Sequence, residues 1–316
     1  MSSTTAQHQE GLVYRSTGSW YVVRGADGIF YNARIKGRMK TDEDISSTNP
    51  VAIGDRVLFD VEDAAVRTGI IREIGARHNY IVRVAPQNRN QKHIVAANLD
   101  QAVVIATITA PRTAQGFIDR FLLTAEAYHI PALIVINKTD LLREKHRQQL
   151  AHWQEMYRAA GYEVLAVSAL QPADIRLLEE RLLHQTTLFS GHSGVGKSTL
   201  INQLIPGIGI RTAAVSDWSG KGMHTTTFAE MFDLPGGGRI IDTPGVKEFG
   251  LVDLEREELS HYFPEMRALL HQCRFNNCLH LNEPGCAVRE AVLQGTLAED
   301  RYRSYLAIYN SLEKKW

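Results

Sequence analysis

The chain has 316 residues, of which 44% are apolar and 22% charged, enough to bury the cores of two or three soluble domains. Its formal net charge is zero, which excludes a uniformly basic or acidic chain and leaves only local patches to indicate a charged partner. Three cysteines are too few, and odd in number, for a disulfide framework, so a reducing, cytoplasmic setting is expected.

Residues 1–10 are polar and read as a flexible tail without the apolar core of a signal peptide. No apolar run reaches the roughly 18 residues that a membrane helix needs. Residues 11–88 read as an OB-type β-barrel. Short β-branched and aromatic runs at 11–14, 20–23, 28–34, 55–60 and 68–74 are punctuated by glycine, the pattern of about five strands. Val51 to Asp55 is expected to turn into the fourth. Arg15, Arg24, Arg34, Lys36, Arg38 and Lys40 interleave with Tyr14, Trp20, Tyr21 and Tyr31. That mixture fits RNA, through phosphate contacts and base stacking, but this stretch alone fits a solvated barrel with an aromatic core slightly better. Asp42, Glu43 and Asp44 interrupt the basic face. Arg67, Arg72, Arg77, Arg83, Arg89 and Lys92 form a second basic run, which contains the expected linker to the next domain.

From residue 89 to 250 the pattern is strand–helix alternation, an α/β domain. Ala102 to Ala106 is a buried strand, Gln115 to Tyr128 an amphipathic helix, and Pro131 to Ile136 the next strand. Asn137-Lys138-Thr139-Asp140 follows at once and resembles the guanine-reading N-K-x-D of GTPases. Asp140 would accept from guanine N1–H and the 2-amino group, a pattern adenine lacks. Asn137 would hold base and loop, and the Lys138 stem would cover the ring. After a helical stretch to Ala160 and a strand to Val167, Ser168-Ala169 resembles the loop where a backbone N–H meets guanine O6. A helix is expected from about Pro172 to His184.

Gly191-His192-Ser193-Gly194-Val195-Gly196-Lys197-Ser198-Thr199 reads G-x-x-x-x-G-K-S between a strand and a helix, the phosphate-binding P-loop. Its glycines let backbone N–H groups point at phosphate oxygens, and the helix N-terminus adds positive potential. Lys197 would reach the β/γ-phosphates, and the Ser198 hydroxyl would take Mg²⁺. Gly220 to Thr227 lies where the first switch belongs, and one of its threonines would meet the metal. Asp242-Thr243-Pro244-Gly245 resembles the D-x-x-G that senses the γ-phosphate, Asp242 through Mg²⁺-bound water and Gly245 through its N–H. N-K-T-D and S-A precede the P-loop here, the reverse of the ordinary order, so the domain is circularly permuted. Close-lying domain termini make that rearrangement tolerable.

Residues 251–316 read as a helical, zinc-binding domain. Cys273, Cys278, His280 and Cys286 form C-x4-C-x-H-x5-C, four ligands for a closed tetrahedral Zn²⁺, which is structural rather than catalytic. His271 is a rival to His280. Arg289, Arg301, Arg303, Lys314 and Lys315 are expected on solvated helix faces.

Taken together, these motifs resemble the RsgA (YjeQ) family of circularly permuted GTPases, over residues 11 to 316. The resemblance implies a monomeric, cytoplasmic GTPase that binds the small ribosomal subunit and its rRNA late in assembly. Subunit-stimulated hydrolysis of GTP to GDP would then release it. A permuted GTPase acting on another RNA or on the large subunit is the alternative; an ATPase, or a scaffold with a vestigial site, fits the intact motifs less well. Val246 stands where Ras-like enzymes carry the water-orienting glutamine. Catalysis therefore falls to His224, which the resemblance favours, or to a group from the partner. Gly194 stands where potassium-activated relatives carry asparagine, so no strong potassium requirement is expected.

Overall fold

The computed structural model describes residues 8–36, 49–85, 88–210, 229–243 and 254–312. Gly220 to Thr227 with His224, and Pro244, Gly245 and Val246, lie outside the described residues, as do Arg38, Lys40, Asp42, Glu43, Asp44, Lys314 and Lys315.

Five strands, β1 (His8–Ser16), β2 (Tyr21–Gly25), β3 (Phe30–Ile35), β4 (Arg56–Asp63) and β5 (Thr68–Ile74), form the expected barrel. β1 pairs with both β2 and β4, and β3 with β5, so the sheet closes on itself. Alternation sends Tyr21, Val23, Tyr31 and Ala33 inward, where they pack with Val13, Val57, Phe59 and Ile71.

The stretch expected to be a linker instead forms a hairpin, β6 (Tyr80–Ala85) and β7 (Asn88–Ala97). Ile81 and Ala96 are buried in the same core as Tyr14, Ile53 and Leu99. Hydrophobic contact therefore runs unbroken from barrel to α/β domain. Gly54 makes the approach possible: its φ is +88°, and a Cβ would lie 2.1 Å from the Ala97 carbonyl oxygen.

The α/β domain contains β8 (Gln101–Ala106), α1 (Gln115–Ala127), β9 (Ala132–Ile136), α2 (Glu144–Ala159), β10 (Glu163–Ala166), α3 (Pro172–Leu182), β11 (Thr186–Gly191), α4 (Lys197–Leu204), β12 (Glu230–Asp233) and β13 (Arg239–Asp242). Strand order is β10-β9-β8-β11-β13-β12, parallel except for β12. Strands apolar on both sides must be covered on both sides. Ala102, Val104 and Ala106 of β8 meet Ile118 and Leu122 of α1 and Trp153 of α2. Val103 and Ile105 face Leu178 of α3 and Leu200 and Ile201 of α4.

After residue 253, short helical turns, α5 (Pro264–Arg267), α6 (Ala287–Leu293) and α7 (Glu299–Leu312) form a third unit. Its core of Leu259, Phe263, Val288, Tyr305 and Ile308 takes in Leu123 from α1. Arg301 departs from the expected solvated face: it is 1% exposed. Its Nη1 donates to Asp119 of α1 and its Nε to Glu265, each at 2.6 Å. Among the described residues, no helix is long and apolar enough to cross a membrane.

Candidate functional site

β11 ends at Gly191, α4 begins at Lys197, and the loop between them fills the middle of the sheet's C-terminal edge. Val195 is fully buried under the loop, and Ser198 and Thr199 occupy the first turn of α4. Gly196 has φ +92°, and a Cβ there would lie 2.4 Å from Asn137 Nδ2. Any side chain would therefore break both the turn and the contact. His192 lays its ring over Phe117 of α1, centroids 3.7 Å apart.

Lys197 Nζ lies 2.6 Å from Asp242 Oδ1 and donates to the Thr243 carbonyl at 2.9 Å. Both side chains are only 11% exposed. Asp242 is the last residue of β13, parallel to and paired with β11. Adjacent parallel strands thus bring the P-loop lysine and the D-T-P-G carboxylate, 45 positions apart in sequence, into contact.

The N-K-T-D and S-A segments are bonded to each other and to the P-loop. Asn137 is 1% exposed; its Nδ2 donates to the Val195 carbonyl at 2.9 Å, and its Oδ1 accepts from Ala169 N–H at 3.2 Å. Asp140 accepts from the Ser168 hydroxyl at 2.6 Å. Thr139 N–H donates to the Val167 carbonyl at 3.2 Å. Lys138, in a left-handed conformation at φ +63°, donates its amine to the Ala110 carbonyl at 2.6 Å. Supporting residues without a motif signature complete the shelf. Asp174, in the first turn of α3, accepts from Ser168 N–H at 2.7 Å. Pro111 sits 3.4 Å from where a Gly194 Cβ would be. An acid in a helix's first turn is a visible signal; a proline in a loop gives none of what it will touch.

The ligand atoms of Cys273, Cys278, His280 and Cys286 all lie within 4.8 Å of one another. His280 Nδ1 is 3.7 Å from Cys273 Sγ and 3.4 Å from Cys286 Sγ. Zinc–sulfur bonds of about 2.3 Å in a tetrahedron separate ligands by about 3.8 Å, so the cluster fits a structural zinc. His271 is exposed and outside it. The loop is braced from outside: Tyr302 and Tyr305 hydroxyls donate to the His280 and Leu279 carbonyls at 2.6 and 2.7 Å. Burial pushes the Glu283 carboxyl up, but the N–H groups of Leu279, Leu281 and Asn282 outweigh it and hold its pKa low. Burial pushes the Cys278 thiol up to about 12, so a metal must displace the proton as it binds.

Among the described residues, five arginines of the barrel and the stretch after it are in ion pairs. Arg15 pairs with Glu230, Arg24 with Asp233, Arg34 with Glu62, Arg72 with Asp60 and Arg77 with Asp55. Trp20, Ile29 and Phe30 are exposed on the barrel surface at 48%, 39% and 42%.

A P-loop, the N-K-T-D and S-A segments bonded to it, and an aspartate beside the P-loop lysine, on a sheet that starts in its own middle, define a circularly permuted P-loop GTPase. The family model described as RsgA GTPase matches residues 74–252, and the RsgA N-terminal domain model matches residues 10–71. A relative from Christiangramia forsetii, named small ribosomal subunit biogenesis GTPase RsgA, is 46% identical over 97% of this chain and 98% of its own. One of the same name from Bacteroides fragilis is 48% identical over 96% and 97%. The crystal structure of YjeQ from Thermotoga maritima superposes with a TM-score of 0.78 at 31% identity, covering 98% of this chain and 100% of that one. The chain belongs to the RsgA GTPase family, and it hydrolyses GTP with Mg²⁺.

Proposed function

We propose that this protein is a cytoplasmic, monomeric GTPase that binds the small ribosomal subunit and its rRNA late in assembly, and that the subunit stimulates GTP hydrolysis to release it. The observation that carries this reading is the near-full-length similarity to relatives named for that role. The exposed Trp20 and Phe30 of the barrel, with arginines nearby, support an RNA surface.

Asp140 reads the guanine edge, held by Ser168; Asn137 ties that shelf to the P-loop through Val195, and the Ala169 N–H, which donates to Asn137 in this structure, turns to guanine O6 when the base binds. Backbone N–H groups from Gly191 to Lys197 and the α4 N-terminus receive the phosphates. Lys197 exchanges Asp242 for the β/γ-phosphates; Asp242 and Ser198 would then be the residues that hold Mg²⁺. When bound, the ion would neutralise developing phosphate charge. Gly245 senses the γ-phosphate, and His224 accepts from the attacking water. Cys273, Cys278, His280 and Cys286 hold the zinc unit together.

The deciding experiment is GTP turnover alone, with purified small subunits and with large subunits, and with ATP as the nucleotide control. Stimulation by small subunits only is expected; equal or absent stimulation overturns the partner. His224→Ala is expected to bind GTP normally and lose stimulated turnover, and unchanged turnover would remove His224 from catalysis.

A further inference from the structure

A row of four charges crosses three strands between barrel and P-loop. Arg15 of β1 pairs across the ladder with Glu230 of β12, among the described residues the one register position joining these two strands. Glu230 in turn stands directly opposite Asp242 of β13, and Asp242 contacts Lys197. Directly opposed residues of antiparallel strands share a face, and like charges there repel. Glu230 and Asp242 are such a pair. Each is offset by a cation on its outer side: Arg15 ion-pairs with Glu230, and Lys197 with Asp242.

The two ends of the row differ in environment. Lys197 and Asp242 are 11% exposed, whereas Arg15 and Glu230 are 43% and 26% exposed. A pair so open to solvent contributes little to stability, about 0–1 kcal/mol, but its geometry can be altered from outside. β12 also follows directly on the segment where the first switch belongs, and β13 runs into D-T-P-G. Whatever shifts the barrel against β12 therefore moves the strand between the two switches. The opposite end of the hairpin carries a separate contact: Asp233 accepts from Tyr14 at 2.7 Å and from Arg24 at 2.9 Å. Asp233 pairs with Arg239 at the start of β13, far from the nucleotide.

We propose that Arg15 is a positioning residue for the stimulated reaction only: when RNA engages the barrel, Arg15 acts through Glu230 to shift Asp242 relative to Lys197, while the unengaged enzyme does not depend on it. The inference rests on the functional reading above for its RNA partner. A contact that shifts with the nucleotide also changes the ground state of β1, whereas reciprocity itself constrains only binding free energies and not kcat.

The test uses the full-length chain with Arg15→Ala, Glu230→Ala, the charge-exchanged R15E/E230R pair, and Tyr14→Phe as a control at the far end of the hairpin. Basal turnover and GDP affinity are expected within about twofold of wild type for all four. With saturating small subunits, both alanine variants are expected to lose about tenfold in kcat, the order of effect of a residue along a coupling network. The subunit concentration for half-stimulation stays the same. The exchanged pair restores most of the stimulated kcat, and Tyr14→Phe retains it. Full stimulation in the alanine variants overturns the proposal. So does failure of the exchanged pair to rescue, or an equal loss in Tyr14→Phe, which would assign the effect to barrel docking in general. If wild type itself is not stimulated, the ribosomal reading fails, and hydrogen exchange then decides the inference alone. Amides of Val13 to Arg15 must differ in protection between GDP and a non-hydrolysable GTP analogue in wild type and not in Glu230→Ala; identical protection in wild type overturns it.

Discussion

The guanidinium of Arg301 and the carboxylate of Asp119, 182 positions apart, meet at 2.6 Å with side-chain exposures of 2% and 0%. Around them, Tyr157 donates to Asp119 at 2.9 Å, Ser304 also donates to it, and the Phe263 ring lies 4.7 Å from the guanidinium carbon. Burial works against the arginine's charge, but Asp119 and Glu265 outweigh it and raise its pKa further. This pair pins the zinc unit to α1, the helix whose Phe117 also packs on the P-loop. Removing one partner of a buried pair leaves an uncompensated charge, at about 3–5 kcal/mol. Arg301→Ala is therefore expected to lower stability by that amount in denaturant unfolding; a loss below about 1 kcal/mol would show that the site relaxes or admits water.

Asn137 bonds two backbone groups that belong to different loops. Asn137→Ala leaves the Val195 carbonyl and the Ala169 N–H without it, each at about 1–3 kcal/mol. GDP affinity, read with a fluorescent analogue, should fall by about tenfold or more while the circular dichroism spectrum stays unchanged. Retained affinity would mean that the two loops are held by other contacts.

Gly196→Ala should be more severe. It puts a Cβ 2.4 Å from Asn137 Nδ2 at φ +92°, combining a clash with a backbone conformation that costs a side chain about 1–2 kcal/mol. Loss of measurable nucleotide binding in a folded protein is expected; near-normal binding would refute this account of the loop.

The Cys273, Cys278, His280 and Cys286 cluster should hold one zinc per chain by metal analysis. Chelation or Cys286→Ser should make residues 254–312 sensitive to protease first, because metal binding is folding energy for that unit, while GDP binding weakens only as far as α1 depends on Arg301 and the shared core around Leu123. Retained protection without zinc would mean that the Tyr302 and Tyr305 contacts suffice.

Burial raises the Tyr21 phenol from 10.0 to about 12. The group is neutral when folded and ionises more readily when unfolded. Its stabilisation is thus complete below pH about 10 and is lost as pH rises towards 12. Tyr21→Phe should flatten the alkaline arm of a stability–pH profile between those values, and an unaltered arm would count against it.

The barrel's alternating strands, the doubly covered apolar strands, the P-loop, N-K-T-D and the C-x4-C-x-H-x5-C cluster could all be read from the sequence. Each is a local pattern in which chemistry and spacing travel together: a glycine-rich turn before a lysine, or four soft ligands within 14 residues. The hairpin at 80–97 could not be read this way, since its basic residues carried the signature of a linker and its docking depends on Gly54 meeting Ala97. Neither Arg301 nor Arg15 shows in its sequence what it pairs with: one lies in a mixed-charge helix, the other in a strand among uncharged residues. Only the tertiary structure decides that one is buried between Asp119 and Glu265 and the other half-exposed against Glu230. The physical reason is that an ionised side chain is accepted in the interior, or aligned across a sheet, by the opposite charge that folding brings to it, here from 182 and 215 positions away. Its own sequence neighbours carry no trace of that partner.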